Sequence, residues 1–258
     1  MTETQIVSNA SRCFVLIPAA GVGQRMGAPI PKQYLMLAGK PVLQHVIDVF
    51  SACPEIEHVY VVLSPTDAWF GECVNSRQIK ISSNKVTLLR CGGETRRDSV
   101  KQGLEAISSG LSLKDWILVH DAARPGLTPE LVKLLVDEVG DHPVGGLLAL
   151  PVTDTVKRTR ESRVTTISRE GLWLAQTPQM FRYGALVQAI QQHPDVTDES
   201  GAIEAMGFVP TLVEGHLSNS KITRPADMDL IEMFLKARAA KRRASRKRAE
   251  QRLEKARA

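Results

Sequence analysis

Cysteine is scarce in this sequence, and its spacing rules out a metal finger or a redox pair. The four residues, Cys13, Cys53, Cys73 and Cys91, include no C-x-x-C, and no group of His and Cys has zinc-ligand spacing. Free thiols without a disulfide framework predict a reduced, cytosolic protein. Long apolar runs are missing as well: none reaches about 18 residues, so no transmembrane helix is expected. The opening residues, MTETQIVSNASR, have no basic stretch followed by an apolar one, so no secretory signal is expected.

A strong excess of either charge is missing from most of the chain. The formal net charge is +5, but residues 236–258 hold 11 Lys or Arg against 2 Glu, a local +9. The other 235 residues hold 22 basic and 26 acidic groups, a net −4. The body is therefore mildly acidic, and the basicity belongs to a tail. Aromatic residues, 5% of the sequence, stop at Phe234. The tail thus lacks stacking groups for single strands, and with Leu253 as its one large apolar residue it lacks a face for a membrane. A solvated helical extension is the expectation, with neither nucleic acid nor membrane as partner.

What is present is an alternation of two patterns. Residues 13–19 (CFVLIPA), 57–63 (EHVYVVL), 86–90, 116–120 (WILVH) and 146–152 (GLLALPV) are short apolar runs that read as buried strands. Between them lie stretches of helical spacing. Residues 41–50 carry Val42, Val46 and Val49 behind a first-turn Pro41. Residues 66–77 are a weaker helix. Residues 95–107 carry Val100, Leu104 and Ile107, and residues 129–139 carry Leu131, Leu134 and Leu135. The alternation predicts an α/β fold with a mostly parallel sheet covered on both faces. Residues 153–173 break the pattern, alternating in polarity with no helical stripe. They predict a two-stranded arm, which is marginal alone and wants a partner, hence a dimer. Residues 218–222 read as one further strand.

Ligands of such sheets bind beyond the carboxyl ends of the strands. The first strand runs into PAAGVGQRMGAPIPKQY, where Gly21 and Gly23 let backbone N–H groups approach a phosphate chain. Two familiar nucleotide motifs are absent. A dinucleotide fingerprint needs a third glycine where Met26 stands and an acidic residue ending the second strand, which instead ends Leu63-Ser64-Pro65. A P-loop needs a glycine where Met26 again stands. A dehydrogenase is disfavoured on these grounds. The turn carries positive charge instead, in Arg25 and Lys32, two cations suited to a transferring phosphoryl group. Asp121 stands at the end of the fourth strand, where a carboxylate can hold Mg²⁺ beside a polyphosphate or simply cap the next turn.

The segments PAAGVGQRMG, PKQYL, GGETRRDSV, VHDAARP, PVTDTVKR, TPQMF, TDESGAIE and KITRPADM, in that order over residues 14–234, resemble the nucleotidyltransferases that activate sugar phosphates. More closely, they resemble the 2-C-methyl-D-erythritol 4-phosphate cytidylyltransferase family. The resemblance implies a Rossmann-like nucleotidyltransferase fold with a projecting β-arm for dimerisation. It implies a flexible N-terminus over residues 1–12, the catalytic domain over residues 13–235 and a basic helical tail over residues 236–258. It implies CTP and a sugar-alcohol phosphate as substrates, with ribitol 5-phosphate as the alternative acceptor, and Mg²⁺ as cofactor. It assigns Arg25 and Lys32 to catalysis and Asp121 to the metal. Ala19, Ala20, Gly21, Gly23, Gly93, Glu94, Ser99 and Lys221 fall to the nucleotide; Glu94 stands where many relatives carry Asp. Arg124, Thr155, Arg169 and Thr197 fall to the acceptor, with Thr155 and Arg169 serving the partner's site. Arg96 and Arg97 are expected to be solvated, His120 and His216 structural, and Asp227 a helix cap. A non-catalytic binding module is the remaining rival, and intact Arg25, Lys32 and Asp121 speak against it.

Overall fold

Alternate residues of a strand face opposite sides of its sheet, and in β1 (Cys13–Pro18) both sides are apolar. A computed structural model describes residues 11–21, 30–81 and 84–257. Val15 and Ile17 pack into one core with Leu43, Ile47 and Phe50 of α1 (Val42–Ala52) and Leu135 of α4 (Pro129–Val139). Phe14 and Leu16 pack into a second with Val100 and Leu104 of α3 (Arg96–Ala106) and Leu186 of α5 (Tyr183–Gln192). Helices therefore cover both faces, which is why the strands read as continuous apolar runs.

After β1 come a one-turn 3-10 helix (Lys32–Tyr34) and a small ladder of β2 (Met36–Leu37) and β3 (Lys40–Pro41). Beyond α1 follow β4 (Ile56–Val62), α2 (Trp69–Asn75), β5 (Val86–Leu89), α3, β6 (Trp116–Val119), α4 and β7 (Gly145–Pro151). Next come β8 (Val156–Arg160), β9 (Arg163–Ile167), β10 (Trp173–Arg182), α5, α6 (Glu199–Ala205), β11 (Thr211–Glu214) and α7 (Pro225–Arg257). The seven-stranded sheet has the order β11-β7-β10-β6-β1-β4-β5. Six strands are parallel. β10 alone runs against its neighbours β6 and β7. β7 leaves the sheet at Pro151 and β10 re-enters opposite it at Trp173, so the returning strand must run backwards.

Between them, β8 and β9 form an exposed hairpin outside the main sheet, over the stretch predicted as an arm. The expected strand at residues 218–222 is not one. Leu217–Asn219 is a 3-10 turn, because the His216 ring accepts from the Ser218 amide and buried Asn219 donates to Gln176 and Thr177. The start of α7 docks through Ile231 onto Leu37, Val42, Ala123 and Ile222. Arg238 then donates to the carbonyls of Gly126 and Leu127 at 2.6 and 2.9 Å. Beyond it the helix runs on in solvent without a break. No described helix is long and apolar enough to cross a membrane.

Candidate active site

The chain passes from β1 outward through β4 and β5, then returns to add β6 on the other side of β1. At the carboxyl ends of adjacent β1 and β6 a crevice opens, with α1 and α4 on one face of the sheet and α3 on the other. Buried Gln33 shapes one wall: its amide donates to the carbonyls of Ala19 and Gly21 at 2.8 and 3.0 Å, pinning the start of the glycine turn. The loop after β5 closes in from the side. A Cβ on Gly92 would lie 2.3 Å from that of Ala20, and one on Gly93 would lie 2.5 Å from that of Asp98, so neither position admits a larger residue without a shift. A capping box of Thr95 and Asp98 then starts α3 and sets Arg96 at its first turn.

Asp121 is 6% exposed at the end of β6. Its Oδ1 accepts from Arg96 Nε at 2.7 Å. Its Oδ2 faces Lys221 Nζ at 2.9 Å and Arg124 Nε at 3.3 Å. Burial alone would raise this carboxyl, but Arg96, then Lys221 and Arg124, outweigh it and hold the group well below the usual carboxylate range. The Arg96 fork also grips Glu199, donating from both terminal nitrogens at 2.8 and 2.9 Å. Burial opposes the Arg96 charge, yet the two carboxylates keep it firmly protonated. Beneath them, the Asp121 amide donates to the Thr177 hydroxyl, which also meets His120 Nδ1 at 3.0 Å. Loss of solvent pushes His120 down to about 3, so its ring is neutral.

Arg96 and Gln33 line a cleft of about 240 Å³ together with Ala19, Ala20, Gly21, Lys32, Ser99, Asp121 and Lys221, all seven expected from the sequence. Lys32 also donates to the Ile222 carbonyl at 3.1 Å. Gly93 is tied to Ser99, whose hydroxyl accepts from the Gly93 amide at 3.2 Å. Arg124 supports Asp121 from behind and donates to the Asn219 carbonyl at 2.9 Å. Glu94, Thr155, Arg169 and Thr197 are exposed and do not line the cleft. Arg169 donates to the Thr153 carbonyl at the base of the arm. Gly23 and Arg25 lie outside the described residues.

The expectation that Arg96 and Arg97 are solvated fails. Arg96 bridges Asp121 and Glu199, and Arg97 donates to the Ile190 carbonyl. Arg96, Gln33 and Glu199 are the residues that sequence reasoning missed. His120 and His216 are buried or bonded in the framework, and Asp227 accepts from the amides of Thr223 and Arg224 as a cap.

The family model for 2-C-methyl-D-erythritol 4-phosphate cytidylyltransferase matches residues 13–237. The chain belongs to that family. A Dechloromonas aromatica 2-C-methyl-D-erythritol 4-phosphate cytidylyltransferase is 49% identical over 229 residues, covering 88% of this chain and 99% of the relative. A crystal structure of a 4-diphosphocytidyl-2C-methyl-D-erythritol synthase has a TM-score of 0.76 at 35% identity, covering 88% of this chain and all of the other. The Francisella tularensis cytidylyltransferase structure has a TM-score of 0.72 at 32% identity, covering 87% and 100%. As a 2-C-methyl-D-erythritol 4-phosphate cytidylyltransferase, the protein converts CTP and 2-C-methyl-D-erythritol 4-phosphate to the cytidylyl-diphosphate product and pyrophosphate.

This cytidylyltransferase is a metal-requiring transferase by its family. In the cleft, Asp121 offers one hard carboxylate, and no three His, Cys, Asp or Glu side chains converge among the described residues. That donor set fits Mg²⁺, which takes one or two carboxylates and completes its shell from substrate phosphates and water.

Proposed function

We propose that the cleft between β1 and β6 receives the triphosphate of CTP, with Mg²⁺ held on Asp121, and that the acceptor arrives from the side of the arm. The observation that carries this reading is the buried Asp121 carboxylate, ringed by Arg96, Arg124 and Lys221, in the same cleft as Lys32. The ring leaves an excess of positive charge, which suits a polyanion. The bound metal would supply charge neutralisation on the phosphate oxygens. The chain's own residues do the rest. Backbone groups from Ala19 to Gly23 cradle the phosphates. Gly93, Glu94 and Ser99 form the slot for cytosine and ribose. Lys221 leaves Asp121 to reach the nucleotide phosphates.

An acceptor phosphate is largely dianionic near neutral pH, so it is already a nucleophile. One of its oxygens bonds to the α-phosphorus of CTP as the bond to the β-phosphate oxygen breaks, and pyrophosphate leaves with the electron pair. Arg25 and Lys32 hold the charge that builds on the oxygens in flight. Thr197 and Arg124 face the acceptor. Thr155 and Arg169 do so across a homodimer, each arm serving its partner's site. Residues 13–235 make up the catalytic domain in this reading.

The test is pyrophosphate release with CTP and Mg²⁺, offering 2-C-methyl-D-erythritol 4-phosphate in one tube and ribitol 5-phosphate in another. Release is expected with the first alone. Lys32→Ala should cut the rate by about 10²- to 10³-fold, the loss typical of one transition-state donor. Turnover near wild type in that variant would overturn the role given to Lys32.

A further inference from the structure

The basic tail is not a loose extension. α7 is one helix from Pro225 to Arg257, and its first turns are fixed to the body by Ile231 and by the Arg238 bonds to Gly126 and Leu127. At about 1.5 Å per residue, the part beyond Arg238 projects for close to 30 Å. Every side chain described from Ala239 to Glu254 is exposed. Two triplets, Lys241-Arg242-Arg243 and Arg246-Lys247-Arg248, step about 100° per residue and so put cations on every side of the rod. Arg246 pairs with Glu250, at 2.9 Å. Lys241, Arg242, Arg243, Lys247 and Arg248 make no ion pair within 4 Å among the described residues. Where the rod leaves the body, a groove of about 880 Å³ opens between α7 and the His45–Ala52 side of α1, with Arg242 and Arg243 on one wall and Lys40, paired to Asp48, on the other.

We infer that this helix is a docking element for a nucleic-acid duplex. A cationic face on one side would suit a flat anionic surface. Cations all round suit a ligand that encloses the helix, and the major groove of B-form DNA admits an α-helix between two phosphate backbones. The groove beside α1 gives one backbone room to pass the body. The tail has no stacking aromatics for a single strand and no apolar stripe for a bilayer. The earlier expectation of a merely solvated tail rested on those two absences, which leave duplex phosphate untouched. Because the helix is anchored and formed beforehand, its ordering does not have to be supplied by binding.

The experiment is fluorescence anisotropy of labelled 20-base-pair DNA and RNA duplexes with the full chain at 50 and 200 mM KCl. Neutralising about four phosphates should weaken binding roughly 10²-fold across that salt range. The variant Arg242→Gln/Arg243→Gln/Lys247→Gln/Arg248→Gln should keep its helix content by circular dichroism and keep full cytidylyl transfer. It should lose at least tenfold in duplex affinity at 50 mM KCl. Preference between the DNA and RNA arms identifies the source. Absence of binding at 50 mM KCl overturns the inference, as does equal binding by the variant. So does binding to phosphatidylserine vesicles without binding to either duplex.

Discussion

Arg96 sits between two carboxylates, and each would be a liability without it. Glu199 is 2% exposed and Asp121 6%, so removing the guanidinium leaves buried charge unpaired, a change that typically costs about 3–5 kcal/mol. Lys221 and Arg124 still face Asp121 and soften the loss. Arg96→Ala should therefore destabilise the protein by about 2–3 kcal/mol in a denaturant titration. It should also impair transfer by releasing Asp121 from its set orientation. Arg96→Lys cannot span both partners with a fork and should recover little of either property. Asp115 tests pH dependence away from the site. Burial would raise its carboxyl, but the side-chain bonds of Arg12 and the amides of Ser112 and Arg12 outweigh that and lower it. A depressed folded value contributes stability above the unfolded pKa of about 4, and that stability is lost as pH falls through the folded value. Asp115→Asn should cost about 1–2 kcal/mol at pH 7, and less at an acid pH below the folded value, where the protonated acid resembles the amide. An equal cost at both pH values would show that its charge contributes nothing.

The arm is a two-stranded sheet of its own, hydrogen-bonded to no strand of the main sheet among the described residues. β8 and β9 pair from Val156–Ile167 to Arg160–Arg163, and the two residues between them, Glu161 and Ser162, both take positive φ, 49° and 65°. That is the backbone of a tight two-residue hairpin turn, here without glycine. Two strands alone are marginal. Val164 in the arm and Leu174 just past it are 65% and 59% exposed, so apolar surface awaits a cover. Replacing residues 156–167 with a two-glycine turn should give a monomer by light scattering. The same variant should lose transfer, through Thr155 and Arg169 of the proposed shared site. A dimer that survives the replacement would place its interface elsewhere.

At the scale of the molecule, the first half of the sheet was legible because its strands are plain apolar runs. Strands β1, β4, β5, β6 and β7 and helices α1, α3 and α4 lie where pattern put them, within a few residues. β10 was not, since its buried Gln176, Thr177 and Gln179 bond to Asn219, Asp121 and Asp198 respectively rather than packing as an apolar stripe. The site divides in the same way. Asp121 and the glycine turn announce themselves by standing at strand ends, and Lys32 by its charge close behind that turn. Arg96 did not, because its partner Glu199 lies 103 residues away and neighbouring Arg97 looks identical in sequence. The strand order has a consequence for how the protein is made. β6 is buried on both faces, yet the neighbour on its outer side is β10, and residues 120–172 intervene. While those residues leave the ribosome, the half-built sheet ends at an apolar strand with its backbone donors and acceptors unpaired, the kind of rim to which other strands add. Synthesis therefore passes through an interval in which the nascent chain needs shielding, and it closes only when β10 slides in beside β6.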